Sequence, residues 1–207
     1  MGNNNLQKVV MIYQSFANLY GAIDSDNAYE FVKEYVTNVS KADFLNDMLV
    51  RANNKNDGYV IHKYDVKHFI IYSDIYSLDE VEELIANQKG EYYQPLNIDE
   101  FLSYHKNLIW YNSNFPVLKE CRHVVREIIH RSNKEEAFIL NLKRMINLGR
   151  NENEFLLYLE SIGIHLEDHE IVVKKLIGLF HELEIYSKKH ILKGFSIREI
   201  WKQKGEL

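Results

Sequence analysis

The sequence predicts a mostly α-helical, α+β protein, and three observations carry that reading. Apolar residues recur at helical spacing through most of the chain. Five helix-start signatures follow residue 75, each placing a capping side chain three residues before a carboxylate: Ser77/Glu80, Asn97/Glu100, Asn133/Glu136, Asn151/Glu154 and Ser196/Glu199. Only two stretches switch to a β-rich, period-two pattern, 58–62 and 67–72, and just two prolines and nine glycines interrupt 207 residues.

Taken in order, residues 6–20 carry Val9, Val10, Ile12, Tyr13, Phe16 and Leu19 as a broad apolar stripe. Gly21-Ala22-Ile23 breaks that helix, and Asp24-Ser25-Asp26 offers side-chain oxygens to cap a second over 28–36. Ser40 opens a third, with Asp43 three residues on as a variant capping box. Gly58-Tyr59-Val60-Ile61-His62 and Lys67-His68-Phe69-Ile70-Ile71-Tyr72 then form a hairpin. Three helices followed by a small hairpin is winged-helix order, so residues 1–75 are expected to be a winged-helix-like domain. The capping signatures predict further helices near 78–88, 98–108, 115–131, 135–148, 152–162, 167–187 and 196–203, which makes 76–207 a helical domain. The widest apolar faces belong to Val117, Leu118, Cys121, Val124, Val125, Ile128 and Ile129, and to Val172, Val173, Leu176, Ile177, Phe180 and Leu183.

Composition bounds the function. Apolar residues make up 46% and charged residues 27%, values of a packed globular chain rather than a disordered one. A formal charge of −5 gives no general attraction to nucleic acid or anionic lipid, so either would need a local patch. The single cysteine, Cys121, rules out an internal disulfide and a cysteine-based zinc ribbon, and its place on an apolar helix face reads as a buried thiol. No apolar run is long enough to span a bilayer, Met1-Gly2-Asn3-Asn4-Asn5 lacks the features of a secretory signal, and Leu6 spoils a myristoylation match. A cytoplasmic protein without a membrane partner is the expectation.

Four segments resemble one family. Asn18-Leu19-Tyr20-Gly21-Ala22-Ile23, Tyr59-Val60-Ile61-His62, Tyr93-x-Pro95 with Asp99-Glu100-Phe101-Leu102-x-Tyr104, and Lys193-Gly194-Phe195-Ser196-x-x-Glu199 are similar to motifs of a group of uncharacterised Firmicutes proteins, often plasmid- or phage-borne, the last of them shared with some SEC-C-containing relatives. The chain departs from that pattern at Tyr186-Ser187-Lys188-Lys189 and at Ile197, and it lacks the SEC-C cysteines, so the relatives' zinc-binding role does not transfer. The resemblance implies a winged-helix-like start, a helical remainder and a mobile-element setting, in which an anti-defence role such as inhibition of a CRISPR effector fits. It brings no catalytic residue.

The chemistry-bearing residues point to binding. His165 and His169 lie four apart and share a helix face if that segment is helical, but no third ligand accompanies them. Gly149 and Gly163 stand alone as helix stops, and no phosphate loop occurs. Residues 1–75 hold seven Lys/Arg against nine Asp/Glu, although Lys41, Arg51, Lys55, Asn46, Asn53 and Asn54 sit on or beside the third helix. Positive charge concentrates elsewhere. Lys119, Arg122, Arg126 and His130 form one helix stripe, continued by Arg131, Lys134, Lys143, Arg144 and Arg150. Lys188, Lys189, Lys193, Arg198, Lys202 and Lys204 form a second cluster. Trp110, Trp201 and many tyrosines offer stacking surfaces.

The sequence therefore reads as a non-catalytic regulatory or inhibitory binding protein of a mobile element, with no cofactor and no metal. Its expected target is a nucleic acid or nucleoprotein, met by Lys119, Arg122, Arg126, Lys188, Lys189 and Lys193. The alternative is a protein–protein adaptor using the winged-helix-like unit, with those cations serving as a solvated face. A metal-dependent enzyme around His165 and His169 is the third reading. The edge of strand 67–72 and the apolar helices also suit a homodimer.

Overall fold

The computed structural model describes residues 3–35, 39–52, 58–72, 77–106, 116–128, 132–165 and 167–206. The protein is mostly helical with a small antiparallel sheet, as expected. It divides into two compact units, Met1–Leu108 with His190–Gly194, and Ile109–Lys189 with Phe195–Leu207.

In the first unit α1 (Asn3–Tyr20) stops at Gly21, whose φ of +71° is a left-handed helix stop that a side chain would strain. The next three residues are not merely a break. Ala22–Asp24 is a strand, β1, paired antiparallel with β3 through Ala22↔Ile71, Ile23↔Ile70 and Asp24↔Phe69. Asp24 also caps α2 (Ser25–Tyr35), its Oδ1 accepting from the amides of Asp26 at 3.1 Å and Asn27 at 3.2 Å. Ser40 caps α3 (Lys41–Arg51) by accepting from the Asp43 amide. β2 (Tyr59–Tyr64) and β3 (Lys67–Tyr72) make the hairpin, turning at Asp65 with φ +54°, a conformation aspartate tolerates well. The first unit thus opens with helix, strand, two helices and two strands, in sheet order β1-β3-β2. Because β3 runs down the middle of the sheet, strand 67–72 is not an edge; the edge strands are β1 and β2.

The first unit extends beyond the expected boundary at residue 75. α4 (Leu78–Asn87), α5 (Ile98–Ser103) and the 3-10 turn Tyr104–Lys106 belong to it. The reason is aromatic packing. Phe101 lies 4.9 Å from the Phe16 ring and 4.5 Å from the Phe31 ring, all three buried. The Tyr20 hydroxyl donates to the Tyr93 carbonyl at 2.7 Å, Tyr35 to Pro95 at 2.9 Å, and the Asn18 amide to Tyr104 at 3.0 Å and His105 at 2.9 Å. Without residues 77–106 these rings and donors would be left against water.

The second unit packs α6 (Pro116–Ile128), α7 (Ser132–Leu148), α8 (Glu152–Ser161), α9 (Glu170–Tyr186) and α10 (Ile197–Lys204). Val117, Leu118, Cys121, Val124 and Val125 face Phe138, Leu142, Ile146, Leu176 and Leu183 in one core. Phe155 stacks on Phe180 with ring centres 4.7 Å apart. Asn151 and Ser196 close full capping boxes with Glu154 and Glu199. Two expected starts move. α7 begins at Ser132, which puts Asn133 inside the helix, and α9 begins at Glu170 rather than 167. No helix among the described residues is long and apolar enough to cross a membrane.

Candidate functional site

The two faces of α3 differ sharply. Phe44 and Met48, four residues apart, are buried in the first unit's core. The opposite face presents Ala42, Asp43, Asn46, Leu49 and Val50, with Leu49 50% and Val50 77% exposed. The cations at its ends are occupied. Lys41 pairs with Asp26 at 2.8 Å, which holds the Asp26 carboxyl below its ordinary value, and Arg51 pairs with Asp47 at 2.8 Å while lying over the Tyr13 ring. At the wing, Val66 is 79% exposed and Lys67 pairs with Asp24 and Asp26. The first unit as a whole holds ten Lys/Arg against sixteen Asp/Glu, and the second fifteen against fourteen.

The residues chosen from sequence divide between settings. Lys119, Arg122 and Arg126 do share α6, and Lys119 is exposed. Arg122 and Arg126 converge on one buried carboxylate, Glu135 of α7, at 3.3 Å and at 2.6 and 3.0 Å. Hydrogen bonding from Arg126, against the opposing pull of burial and with help from Arg122, keeps the Glu135 carboxyl below its usual range. Lys188 donates to both oxygens of Glu199 at 2.6 and 2.8 Å, and buried Lys189 to Glu184 at 2.8 Å. Lys193 belongs to the first unit, where it lies 4.4 Å above the Tyr92 ring and is bonded to the Gly90 carbonyl; burial lowers its ammonium pKa, against the pull of Asp24. Lys143, read as part of the surface stripe, is buried. Arg122, Arg126, Lys188 and Lys189 are thus tied up in ion pairs, while Lys119, the two-thirds-exposed Arg126 and, in the second cluster, Arg198, Lys202 and Lys204 face outward. Asn53, Asn54, Lys55, Trp110, Ile129, His130 and Arg131, and the side chains of Ile128 and Lys134, lie outside what is described.

The other chemistry does not assemble. His165 and residues 167–169 precede α9 instead of forming its first turn, so His165 and His169 do not share a helix face. Among the described residues no three His, Cys, Asp or Glu are grouped to hold a metal. Burial pushes the Cys121 thiol up to about 12, so it stays protonated near neutrality. A cleft of about 450 Å3 in the first unit is lined by Phe31, Tyr92, Glu30, Lys33 and Glu34, but Glu30 and Lys33 face each other as an ion pair at its rim.

Sequence reasoning missed the counterions Glu135, Glu184 and Glu199, which lie 5–13 residues from the cations they hold. It also missed Leu49 and Val50, although their position opposite Phe44 and Met48 on a helical wheel was there to be read. No family model, curated protein or solved structure matches this chain.

Proposed function

We propose that this chain works by binding, and that its winged-helix-like unit docks a protein rather than nucleic acid. The outward face of α3 carries the reading. Base readout needs arginine, lysine or amide groups free to reach base edges, backed by cations that neutralise phosphate. This face instead offers two exposed aliphatic side chains, Leu49 and Val50, beside Asp43, with Lys41 and Arg51 engaged by Asp26 and Asp47. An apolar centre with a polar, acidic rim is the anatomy of a protein-docking patch. The acidic excess of the first unit adds repulsion of any phosphate backbone. A regulatory or inhibitory factor of a mobile element remains the setting that the sequence resemblance suggests.

A second reading keeps the nucleic acid or nucleoprotein target and assigns it to α6, where Lys119 and Arg126 reach solvent. One experiment separates the two: affinity for labelled duplex DNA and single-stranded RNA at low and near-physiological salt, for wild type and for Arg122→Glu/Arg126→Glu. Protein docking predicts no steeply salt-dependent binding in either protein. Binding that weakens with salt and vanishes in the variant overturns it in favour of α6. On the positive side, Leu49→Asp/Val50→Asp is expected to abolish partner capture from host extract while leaving the thermal midpoint unchanged.

A further inference from the structure

α9 turns one face into the core of the second unit, where Val173, Leu176, Phe180 and Leu183 are buried. Ile171, Lys174, Lys175, Gly178, Glu182 and Ile185, spaced by three, four and seven, share the opposite face. That face is open. Ile171 is 85% exposed, the two lysines, Gly178 and Glu182 are exposed, and Ile185 is half-buried.

Nothing among the described residues calls for a glycine at 178. Its backbone is ordinary helix rather than left-handed, and a Cβ there meets nothing described within 4 Å. In the middle of a helix glycine costs stability relative to alanine. What it leaves is a bare stretch of helix backbone that another helix can approach closely. The charges around it are ordered. Lys174 and Lys175 lie one turn before Gly178, bonded to Glu170 and Glu120, and Glu182 lies one turn after it with no ion pair among the described residues. His181, beside Glu182, is held by Glu152 and Glu184.

We propose that this face is a homodimer surface, on which α9 of a second copy of the chain crosses antiparallel at Gly178. The pattern is its own complement. Turned end for end about Gly178, it sets Ile171 of one copy opposite Ile185 of the other, and Lys174 and Lys175 beside Glu182. The two-fold axis makes each of these contacts twice, with the two glycine backbones meeting at the axis. A parallel copy would instead set lysine against lysine and Glu182 against Glu182, so the charges select the antiparallel arrangement. The surface belongs to the second unit, and its use does not depend on the α3 face.

The test is sedimentation velocity of the full chain over a concentration series. Wild type is expected to pass from monomer to dimer as concentration rises. Gly178→Gln puts a side chain where the backbones meet while improving helix propensity, so it is expected to stay folded and to weaken association about tenfold or more. Glu182→Lys alone and Lys174→Glu/Lys175→Glu alone are each expected to be monomeric, because like charges then face each other across the axis. An equimolar mixture of the two is expected to associate again. If a charge variant fails to fold, Gly178→Gln decides alone. A wild type that stays monomeric at every concentration overturns the proposal, and so does a dimer that persists in Gly178→Gln or in the charge variants. Charge variants that stay apart on mixing overturn it as well, because the loss would then not lie in complementarity across this face.

Discussion

The two units solve the same problem, closing a small core, with different side chains. The first is built on rings: Tyr13, Phe16, Tyr20, Phe31, Phe44, Tyr59 and Phe101 fill its core. The second is built on branched aliphatics, with Val117, Val124, Val125, Leu142, Ile146, Leu176 and Leu183 around a few phenylalanines. Rings bring large buried area and, in tyrosine, a hydroxyl that must find a partner. In the first unit two tyrosine hydroxyls take irregular segments as partners, Tyr20 the Tyr93 carbonyl and Tyr35 the Pro95 carbonyl, so those segments become part of the fold. An aliphatic core has no such handle. The second unit is instead a stack of capped helices whose surface is tied by ion pairs, among them Glu135 with Arg122 and Arg126, and Glu199 with Lys188. The lesson is that irregular chain is held where the core has polar ends to offer.

The sharpest way to break this contrast is Phe101→Ala. It removes a ring shared by Phe16 and Phe31 and is expected to cost about 3–5 kcal/mol, read as a lower urea midpoint. The loss should fall on the first unit, with amides of α6 and α9 keeping their exchange protection.

Next in size is Glu199→Ala, which removes both the Lys188 partner and the Ser196 capping box and is expected to cost about 2 kcal/mol. Burial by itself would raise the Glu199 carboxyl, yet Lys188 and the Ser196 amide hold it below the ordinary 4.5. Its contribution is therefore complete above that value and disappears as pH falls through the lower folded-state value. Acid unfolding monitored from pH ~5 downward should accordingly be shallower in the variant than in wild type. An unchanged slope would show that the pair adds nothing to acid sensitivity.

The smallest effect concerns His181, which bonds Glu152 at 2.8 Å and Glu184 at 3.2 Å. Glu152 foremost raises its pKa above 6.5, against an opposing contribution from burial and with help from Glu184. The sign is opposite to that of Glu199: this stabilisation is complete below the unfolded-state value and is lost as pH rises through the folded-state one. Thermal midpoints measured across neutrality should decline slightly in wild type and less in His181→Gln. Because the ring is half exposed, solvent screening keeps the change small.

Much of this architecture was legible along the chain. The cap at Ser77, Asn97, Asn151 or Ser196 and the period-two runs of β2 and β3 are local, involving residues three or two apart, and each lies where expected. The candidate site was far less legible. A lysine on a helical wheel looks the same whether it faces water or a carboxylate supplied by another helix, so Lys188, Lys189, Arg122 and Arg126 read as free charge. Exposed Leu49 and Val50 were hidden by the opposite error, since aliphatic residues in a helix are counted as core by default.

What the amino-acid sequence by itself determined is therefore helix starts, the hairpin and the fold class, because capping and periodicity act between near neighbours. Only the tertiary structure decided that Ala22–Asp24 is a strand, since three residues are too few to show alternation and β3 must supply the bonds. It alone assigned residues 77–106 and 190–194 to the first unit, through rings and carbonyls as much as 172 residues apart. It alone paired the cations, because the charge on a side chain is local but its partner is chosen by packing.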